Sequence, residues 1–384
     1  ASLLRAQGKL FYWPQDQFWV LTDYDLAGLV LKSKDFSADR SNFFMARMSG
    51  CPFHKVANFF DVVKKMMVTS DAPGHTARRK LAAFGIADNV LDNFKPAVDK
   101  AVDMLIQNVQ GKKTFDFANE VALPLPCTVL ANLFCIPEEK RKDFYKWSND
   151  MTQFFGGASE NIELDAYHAN EGAASLKKYF AELIEERRQN PKEDFLSHLL
   201  KNQQSLGLDD SEVISQAVMM LVAGTVTTTD QLCNNMFLML TTDLVFKKLQ
   251  KDQTLLESTI EEVTRLDPAV NFVFRVAKKD ITLENQNIKA GELIFISNHA
   301  VNRDPQVFEL PNDLKMDRTR NPHFSYGNGI HYCLGARLAR IQMKSLFEKM
   351  LVTFPNLDLA ADQKPIKKHQ SLAFSGFETL VLKI

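Results

Sequence analysis

Cys333 is the residue of this sequence whose surroundings most clearly suggest chemistry. It lies in the glycine- and aromatic-rich stretch FSYGNGIHYCLGARLAR, residues 324–340, and a helical pattern of apolar and basic positions follows it at once. A thiol at a helix N-terminus is biased toward the thiolate by the helix dipole and the unpaired N–H groups. Gly327, Gly329 and Gly335 are expected to adopt positive φ and to let a large flat group come close. Such a thiolate is a good axial ligand for haem iron and favours O–O cleavage; the other interpretation is a buried structural cysteine.

The segment YGNGIHYCLG resembles the cysteine-ligand loop of the cytochromes P-450, which usually reads Phe-x-x-Gly-x-x-x-Cys-x-Gly. Tyr326 occupies the Phe position here, and its hydroxyl is expected to alter the hydrogen bonding near the sulfur. The resemblance implies haem b as the cofactor and Cys333 as the ligand of its iron. It also implies cofactor contacts from Tyr326, Gly335 and His331, the last of these to a propionate.

Composition and charge narrow the class of protein. The chain has 384 residues, 45% of them hydrophobic, which is enough for a large core. A net charge of −1 gives no electrostatic case for binding nucleic acid or an anionic membrane. Five cysteines without regular spacing argue against a disulfide framework and suit a reducing cytosol. We see no apolar run of about 18 residues, so we expect a cytoplasmic protein without a membrane partner, and a monomer.

Residues 210–240 have one long apolar helical pattern, with capping-box spacing expected at Ser211 and Glu212. Its middle, AGTVTT, resembles the oxygen-binding groove of the family, which usually reads Ala-Gly-x-Asp/Glu-Thr. The resemblance assigns catalytic positions to Ala223, Gly224, Thr227 and Thr228. Val226 replaces the usual acid and cannot donate or accept a proton. The other interpretation of this segment is a buried core helix with a glycine packing notch.

Further cofactor contacts follow from the resemblance. His75 and Arg79 stand four residues apart in DAPGHTARRK, and therefore on one helix face. A similar His-x-x-x-Arg in the family holds a haem propionate, as does an arginine on a strand, here Arg275. For residues 71–80 the other interpretation is a solvated basic helix face.

Glu262 and Arg265 stand at i, i+3 in the helical pattern ESTIEEVTRLDP, and can form an ion pair there. The pair resembles the Glu-x-x-Arg of the family, which stabilises the core together with a second arginine. The resemblance implies that this arginine is Arg318, and a buried network of this kind needs all of its members.

Apolar residues around these motifs suggest an adaptable substrate pocket. For any one of them, the other interpretation is ordinary core. By resemblance, the predicted pocket residues are Phe53, Phe60, Met67, Val222, Val226, Val270, Phe272, Val273 and Phe377.

Five motifs in the family's order, from His75 to the C-terminus, predict the fold and the activity. The resemblance implies a single domain over residues 1–384, mainly α with small β-sheets, forming a triangular helical body around haem. It also implies a monooxygenase that hydroxylates an apolar small molecule, with secondary metabolism as the expected setting. The alternatives are oxidative phenol coupling, another radical oxidation without oxygen insertion, or a haem gas sensor or electron carrier. An acidic ferredoxin or flavodoxin is expected to dock near Arg78, Arg337, Arg340 and Lys344.

Overall fold

A computed structural model describes residues 1–39, 56–155, 161–368 and 373–384. The chain is mainly helical with small sheets, which confirms the predicted fold class. The helices are α1 Ser2–Ala6, α2 Tyr24–Lys32, α3 Ala57–Val63, α4 Gly74–Phe84, α5 Asp88–Val109, α6 Pro124–Leu133, α7 Glu138–Phe155, α8 Ile162–Gln189, α9 Phe195–Gln203, α10 Asp210–Thr241, α11 Val245–Lys251, α12 Leu256–Leu266, α13 Asn298–Val301 and α14 Ala336–Thr353.

The strands are short, and one sheet of five strands has the order β1-β2-β8-β5-β3. Smaller sheets pair β4-β12-β9, β10-β11 and β6-β7. The strands are β1 Leu10–Trp13, β2 Phe18–Leu21, β3 Phe36–Ser37, β4 Thr114–Asp116, β5 Phe272–Ala277, β6 Ile281–Leu283, β7 Gln286–Ile288, β8 Leu293–Ser297, β9 Asp358–Leu359, β10 Ile366–Lys367, β11 Phe377–Thr379 and β12 Val381–Lys383.

The N-terminal segment forms a β-hairpin followed by a helix. Strands β1 and β2 pair antiparallel, with Leu10 opposite Leu21. Helix α2 then begins after Asp23, whose carboxylate accepts a hydrogen bond from the amide of Leu26 at 3.0 Å. This N-cap satisfies one of the amides that a helix start leaves without a partner.

The described chain divides into two compact units. The first comprises Ala1–Ser37, Val98–Pro126 and Thr227–Ile384, and the second comprises Ala38–Ala97 and Cys127–Val226. The first unit contains the strands listed above and an apolar core in which Leu21, Ile296 and Phe324 are buried together. The single domain expected over residues 1–384 stays a prediction.

The second unit is helical. Helix α8 packs along α7 and also contacts α3, while α9 packs on α4. Phe134, Phe180 and Phe195 are completely buried, with ring centroids 5.0 to 5.3 Å apart around Phe134. Aromatic contacts at these distances add to the apolar burial that holds the helices together.

Helix α10 is continuous over Asp210–Thr241, as the apolar pattern predicts. Its capping box differs from the predicted pair. The Glu212 amide donates to Asp209 Oδ1 at 2.9 Å, and the Asp209 amide donates to Glu212 Oε2 at 3.2 Å. Asp209 therefore takes the role expected of Ser211, because a residue three positions before Glu212 has the reach that the reciprocal bonds need.

Within the described ranges no single helix is long and apolar enough to cross a membrane. One helix pair, Ala118–Leu133 with Glu138–Phe154, meets the length and composition criterion only when both are taken together, and it is bent by 115°.

Candidate functional site

Two short backbone hydrogen bonds shape the loop that carries Cys333. The Gly327 amide donates to the carbonyl oxygen of Phe324, and the Cys333 amide to that of Tyr326, each at 2.7 Å. Gly327 and Gly329 have φ of +73° and +69°, a conformation that glycine adopts readily. The positive φ predicted for these two residues is confirmed.

Gly335 differs from the other two glycines of the loop. Its φ is −82°, so the prediction of positive φ was wrong at this position. Among the described residues, no heavy atom lies within 4 Å of the place that a Cβ would occupy. Gly335 is the N-cap of α14, and Cys333 is an exposed cysteine, outside any disulfide, two residues before it. The thiol therefore precedes a helix N-terminus, with open space beside the backbone.

Tyr326 places a phenol within this loop. Its ring lies 4.4 Å from the guanidinium carbon of Arg340. Its hydroxyl oxygen is buried and has no hydrogen-bond partner among the described residues. Burial raises the pKa of the phenol, and the nearby Glu261 carboxylate raises it further. The phenol is therefore neutral and keeps a proton that it can donate within the loop.

Glu261 on α12 fixes the position of Arg340. Two hydrogen bonds of 2.7 Å join the Arg340 guanidinium to the two carboxylate oxygens of Glu261. His323 Nε2 lies 3.2 Å from Glu261 Oε2. Burial opposes ionisation of Glu261, but the bonds from Arg340 and His323 outweigh it and lower its pKa to about 2. This cluster ties α12 to the segment around Cys333.

Glu262, the next residue of α12, points about 100° around the helix from Glu261 and has different partners. Its carboxylate pairs with Arg265 at 2.7 Å and with Arg318 at 2.8 Å. The side chains of Glu262 and Arg265 are completely buried, and that of Arg318 nearly so. The structure thus brings together the three residues of the predicted network. Arg265 also donates to the carbonyl oxygens of Asn302 and Pro311, at 2.8 and 2.7 Å.

Arg275 and His331 belong to the same unit as Cys333. Arg275 lies on β5, is 5% exposed, and donates from Nη1 to the carbonyl oxygen of Phe274 at 2.8 Å. His331 ends the short 3-10 turn Gly329–His331 and is half-buried. Their predicted contacts with a haem propionate stay predictions.

One face of α10 is open although most of the helix is buried. Ala223 is exposed, and Val226 and Thr227 are half-buried, whereas Val222 and Thr228 are each 6% exposed. Residues three and four apart lie on one helix face, so these three side chains form a continuous strip, which we call the open strip. The strip consists of the small side chain of Ala223, the apolar side chain of Val226 and the hydroxyl-bearing side chain of Thr227.

Three neighbouring predicted site residues, Gly224, Thr228 and Val222, do not belong to the open strip. A Cβ on Gly224 would lie 3.2 Å from Leu130 Cδ1, so this glycine provides a packing notch against α6. Thr228 is buried, one residue past the open strip, and Val222 accepts a weak hydrogen bond from Thr152 at 3.4 Å through its carbonyl. The packing interpretation of the motif therefore holds for Gly224, while Ala223 and Thr227 border open space.

Polar residues on the next turns of α10 hold two chain segments in place. Gln231 donates to the carbonyl oxygen of Asp267 at 3.1 Å and accepts from the Ala269 amide at 2.9 Å. Asn234 donates to the carbonyl oxygens of Asp267 and Ser375, at 3.2 and 3.0 Å. Sequence reasoning missed these residues, although two amides among apolar positions of a buried helix were a visible signal.

Predicted pocket residues on β5 face different ways. Phe272 packs edge to face on Phe295, with ring centroids 5.9 Å apart. Val273 instead packs on the core cluster that contains Ile296. Successive side chains of a strand point to opposite faces, so Phe272 and Val273 do not line the same space. Val270, just before the strand, is half-buried and forms a β-bridge with Phe374.

Phe377 lies at the start of β11 and is 2% exposed. Its ring packs 4.9 Å from that of Phe237 on α10. Phe237 is ten residues beyond Thr227, or about 15 Å along the helix axis. The structure therefore packs Phe377 against α10 about ten residues beyond the open strip, and its assignment to the substrate pocket stays a prediction.

The remaining candidates belong to the second unit. His75 is buried and Arg79 is half-buried on α4, four residues apart as predicted. Phe60 and Met67 are 6% and 7% exposed, and the Met67 amide donates to Gln216 Oε1 at 3.0 Å. Phe53 lies outside the described residues.

The basic residues predicted to dock a redox partner are largely engaged with acids. Arg78 pairs with Glu212 at 3.0 Å. Lys344 pairs with Glu257, and Arg340 is held by Glu261 as described above. Arg337 is half-buried on α14. Ion pairing removes much of the positive potential that such residues offer to an approaching acidic protein.

A family model described as Cytochrome P450 matches residues 10–378. This chain belongs to the cytochrome P450 family. It is therefore an oxidoreductase that incorporates molecular oxygen, with haem b as its cofactor. This result confirms the family resemblance of the motifs and sets aside the gas-sensor and electron-carrier alternatives.

Named relatives and solved structures agree with the family. The chain is 30% identical over 368 residues to "Polyketide biosynthesis cytochrome P450 PksS" of Bacillus subtilis (strain 168), covering 95% of this chain and 89% of the relative. It is 30% identical to "Nocardicin C N-oxygenase" of Nocardia uniformis subsp. tsuyamanensis, covering 79% and 75%. The crystal structure of P450BioI in complex with an acyl carrier protein ligated to hexadec-9Z-enoic acid superposes with a TM-score of 0.91 at 27% identity, covering 100% of this chain and 97% of that one.

Observations within the P450 structure fit the cofactor. The Cys333 thiol is exposed before a helix N-terminus, the type of donor that binds haem iron. The space beside Gly335 is open to a planar group, and the Tyr326 hydroxyl is buried in the same loop. The exposed side chains of the open strip lie on a helix that is otherwise part of the core.

Proposed function

We propose that this P450 hydroxylates an apolar small molecule, with Cys333 as the iron ligand and the open strip of α10 beside the reacting atoms. The observation that carries the proposal is the open strip, where an otherwise buried helix has Ala223 exposed and Val226 and Thr227 half-buried. Haem b, when bound, supplies the iron that activates dioxygen, and the protein supplies the ligand, the orientation of the substrate and the control of water.

Each residue of the strip has a distinct role in this proposal. Ala223 is small enough to leave room for dioxygen, and Val226 offers an apolar surface to the substrate. Thr227 is the hydroxyl of the strip and can hold a water molecule or pass on a proton at Oγ1. Arg275, His331, His75 and Arg79 are proposed to bind the haem propionates, since Arg and His make charge-assisted hydrogen bonds to carboxylates.

The ligand assignment is tested by the spectrum of the reduced carbon monoxide complex. Cys333→Ser should remove the thiolate signature and move the absorption maximum to shorter wavelength. Cys135→Ser is the matched control, because Cys135 is also an exposed cysteine outside any disulfide, and it should keep the wild-type spectrum. A thiolate spectrum in Cys333→Ser would show that another group binds the iron.

The substrate class is proposed from the apolar side chains near the open strip and from the relatives. PksS is named for polyketide biosynthesis and the nocardicin enzyme for N-oxygenation. A secondary metabolite with an extended apolar part fits both the strip and these names. A screen of such compounds for low-spin to high-spin shifts, followed by turnover under ¹⁸O₂, tests the proposal. Retention of one labelled oxygen in the product supports hydroxylation.

Thr227→Ala tests the role of the strip in proton supply. The variant should release more hydrogen peroxide and form less product per electron consumed, because its alanine cannot order water or donate a proton. Val226→Asp should form at least as much product per electron consumed as wild type. Unchanged product and peroxide in Thr227→Ala would exclude the hydroxyl from the reaction.

Oxidative phenol coupling is the second candidate, and Val226 is the observation that favours it. A chemistry that forms a bond between two substrate radicals needs no oxygen insertion, so an acid beside Thr227 is less important. A coupled or dehydrogenated product without ¹⁸O would favour this candidate over hydroxylation.

An acidic ferredoxin or flavodoxin is the proposed electron donor. Arg337 and Lys344 lie on α14, the helix that follows Cys333, and reversing their charges leaves the Arg78–Glu212 and Arg340–Glu261 pairs intact. Arg337→Glu with Lys344→Glu should slow reduction and weaken its dependence on ionic strength. Equal reduction rates in wild type and variant at low salt would place docking elsewhere.

A further inference from the structure

We propose that Asp230 and Lys368 form an acid–base pair that supplies protons to the open strip, in the role that Val226 cannot fill. The inference rests on the proposed function, since only oxygen insertion requires this supply. It assigns a proton route to two residues outside the family motif AGTVTT.

Asp230 lies on the same face of α10 as the open strip. It follows Val226 by four residues and Thr227 by three, the spacings at which side chains are neighbours on a helix. The separation along the axis is about 5 to 6 Å, a distance that one water molecule can bridge. Asp230 is the first ionisable side chain that α10 offers beyond the strip.

The surroundings of Asp230 are built to hold a carboxylate. The side chain is completely buried, and its Oδ1 accepts a hydrogen bond from Lys368 Nζ at 2.6 Å. A Cβ on Gly376 would come within 2.2 Å of Oδ1 and 2.4 Å of Cγ. The absence of a side chain at position 376 therefore leaves the room that the carboxylate occupies.

The second carboxylate oxygen is not used by this ion pair. Asp230 Oδ2 is buried and has no hydrogen-bond partner among residues 1–39, 56–155, 161–368 and 373–384. A buried carboxylate oxygen without a donor lowers the stability of the folded protein. Binding a water molecule or a proton at Oδ2 would remove this cost, so Oδ2 is available to either.

Lys368 connects the buried carboxylate to solvent. Lys368 Nζ lies 2.6 Å from Asp230 Oδ1. The Lys368 side chain is 30% exposed, whereas that of Asp230 is fully buried. The ammonium group can give a proton to the carboxylate and regain one from water. Asp230 can then pass its proton to the Thr227 hydroxyl through a water molecule, as Thr227 gives its own to the reacting atoms. Each transfer moves one proton and no electrons.

The charges around Asp230 permit this cycle. Burial raises the pKa of Asp230, and the positive charge of Lys368 only partly offsets that effect. The Cys233 thiol lies near the pair, and burial raises its pKa as well, so it stays neutral and adds no competing anion. A carboxyl group that is easier to protonate than usual is suited to pass protons on.

The rival explanation is that the pair only anchors the C-terminal segment on α10. Lys368→Arg separates the two roles. Arginine keeps the positive charge and can pair with Asp230, but it does not release a proton in a protein. Lys367→Met is the matched control, because Lys367 is the neighbouring lysine and pairs with Asp267 at 3.6 Å.

The first measurement needs no turnover. Infrared difference spectra of the resting ferric protein between pH 5 and 9 should contain a protonated carboxyl band that Asp230→Asn removes. Lys368→Arg should shift the pH at which this band disappears, while Lys367→Met should leave it unchanged. If Asp230→Asn leaves the spectra as in wild type, the buried carboxyl does not titrate and the proposal is wrong.

The second measurement follows the fate of electrons with a substrate that wild type hydroxylates. Asp230→Asn and Lys368→Arg should both lower product per electron by about threefold or more, release more hydrogen peroxide, and change the solvent isotope effect. Lys367→Met should match wild type. Wild-type coupling in Lys368→Arg would establish the anchoring role and overturn the proton route.

Failure of the proposed function is recognised separately. If wild type itself inserts no oxygen from ¹⁸O₂ into any product, hydroxylation is wrong whatever the variants do. If wild type inserts oxygen and both Asp230→Asn and Lys368→Arg form as much product per electron as wild type, only the inference about this pair is wrong.

Discussion

Glu262 and Asp230 are both completely buried carboxylates, but their surroundings differ. Glu262 accepts hydrogen bonds from two arginines, from the Lys315 amide and from Asn321, at 2.7 to 3.2 Å. Asp230 has Lys368 on one oxygen, and no partner on the other within the described part of the chain. The first site saturates its acceptors, whereas the second leaves one available.

The pKa directions of the two groups follow from this difference. Burial opposes the charge at both sites. At Glu262 the hydrogen bonds from Arg265 and Arg318 outweigh burial and lower its pKa. At Asp230 burial prevails and raises the pKa. The comparison teaches that burial alone does not fix the charge of a carboxylate; the number of donors that reach it does. A saturated site suits a permanent structural charge, and an incomplete one suits a group that exchanges protons.

The largest expected effect comes from breaking the saturated site. Arg265→Ala should lower the free energy of unfolding by about 3 to 5 kcal/mol, because it leaves the Glu262 charge buried with fewer donors. Urea unfolding measures the loss. Arg265→Lys keeps a charge but loses the bidentate geometry, so it should fall between wild type and the alanine variant. A loss under about 1 kcal/mol in Arg265→Ala would contradict the structural role of this network.

The next largest effect is steric and concerns Asp230, the carboxylate with one oxygen that has no donor among the described residues. Gly376→Ala should lower the free energy of unfolding by about 1 to 3 kcal/mol, because the new methyl group meets the Asp230 carboxylate. Thermal unfolding of the haem-bound protein measures it. Gly111→Ala is the control, since no described heavy atom lies within 4 Å of its Cβ position. Equal melting temperatures for the two variants would mean that Asp230 is not packed against Gly376.

Glu261 is a third carboxylate with strong donors, and the pH dependence of protein stability tests how those donors affect its charge. Its pKa of about 2 lies below the ordinary value of 4.5, so its stabilising contribution is present above about pH 4.5 and is lost as pH falls toward 2. At neutral pH the contribution is about 2 kcal/mol after allowing for partial solvent screening. Glu261→Gln should therefore destabilise the protein at pH 7, and the difference from wild type should shrink below pH 4.5.

Chemical unfolding at several pH values measures this trend. Glu257→Gln on the same helix is the control, because the Glu257 side chain is 69% exposed and its pair with Lys344 is open to solvent. A constant difference between Glu261→Gln and wild type from pH 7 to pH 3 would show that Glu261 keeps an ordinary pKa.

The smallest stability change is expected at the incomplete site itself. Lys368→Arg should alter the free energy of unfolding by less than about 1 kcal/mol, because the lysine is partly exposed and arginine preserves the ion pair. Denaturant unfolding of the haem-bound variant measures the change. A loss as large as that of Arg265→Ala would mean that Asp230 and Lys368 form a second structural network, and the contrast with Glu262 would disappear.

The sequence by itself determined the family, the helical class and the local elements. Hydrophobic periodicity sufficed for α10, because it depends on residues close in the chain. The Cys333 loop was also predictable, since its glycines and its helix N-terminus are consecutive. Motif order identified Glu262, Arg265 and Arg318 although Arg318 is more than fifty residues away.

The tertiary structure decided which side chain of each motif faces which space. Gly224 packs on Leu130, Val273 packs on the core, and Phe377 packs on Phe237 of α10. The first acid of α10 beyond the open strip, Asp230, pairs with Lys368, which is 138 residues away. Such long-range contacts are set by how the elements pack, and the burial of a carboxylate and the donors that reach it exist only after that packing. For this reason the sequence could name the chemistry of the loop but not the residues that tune it.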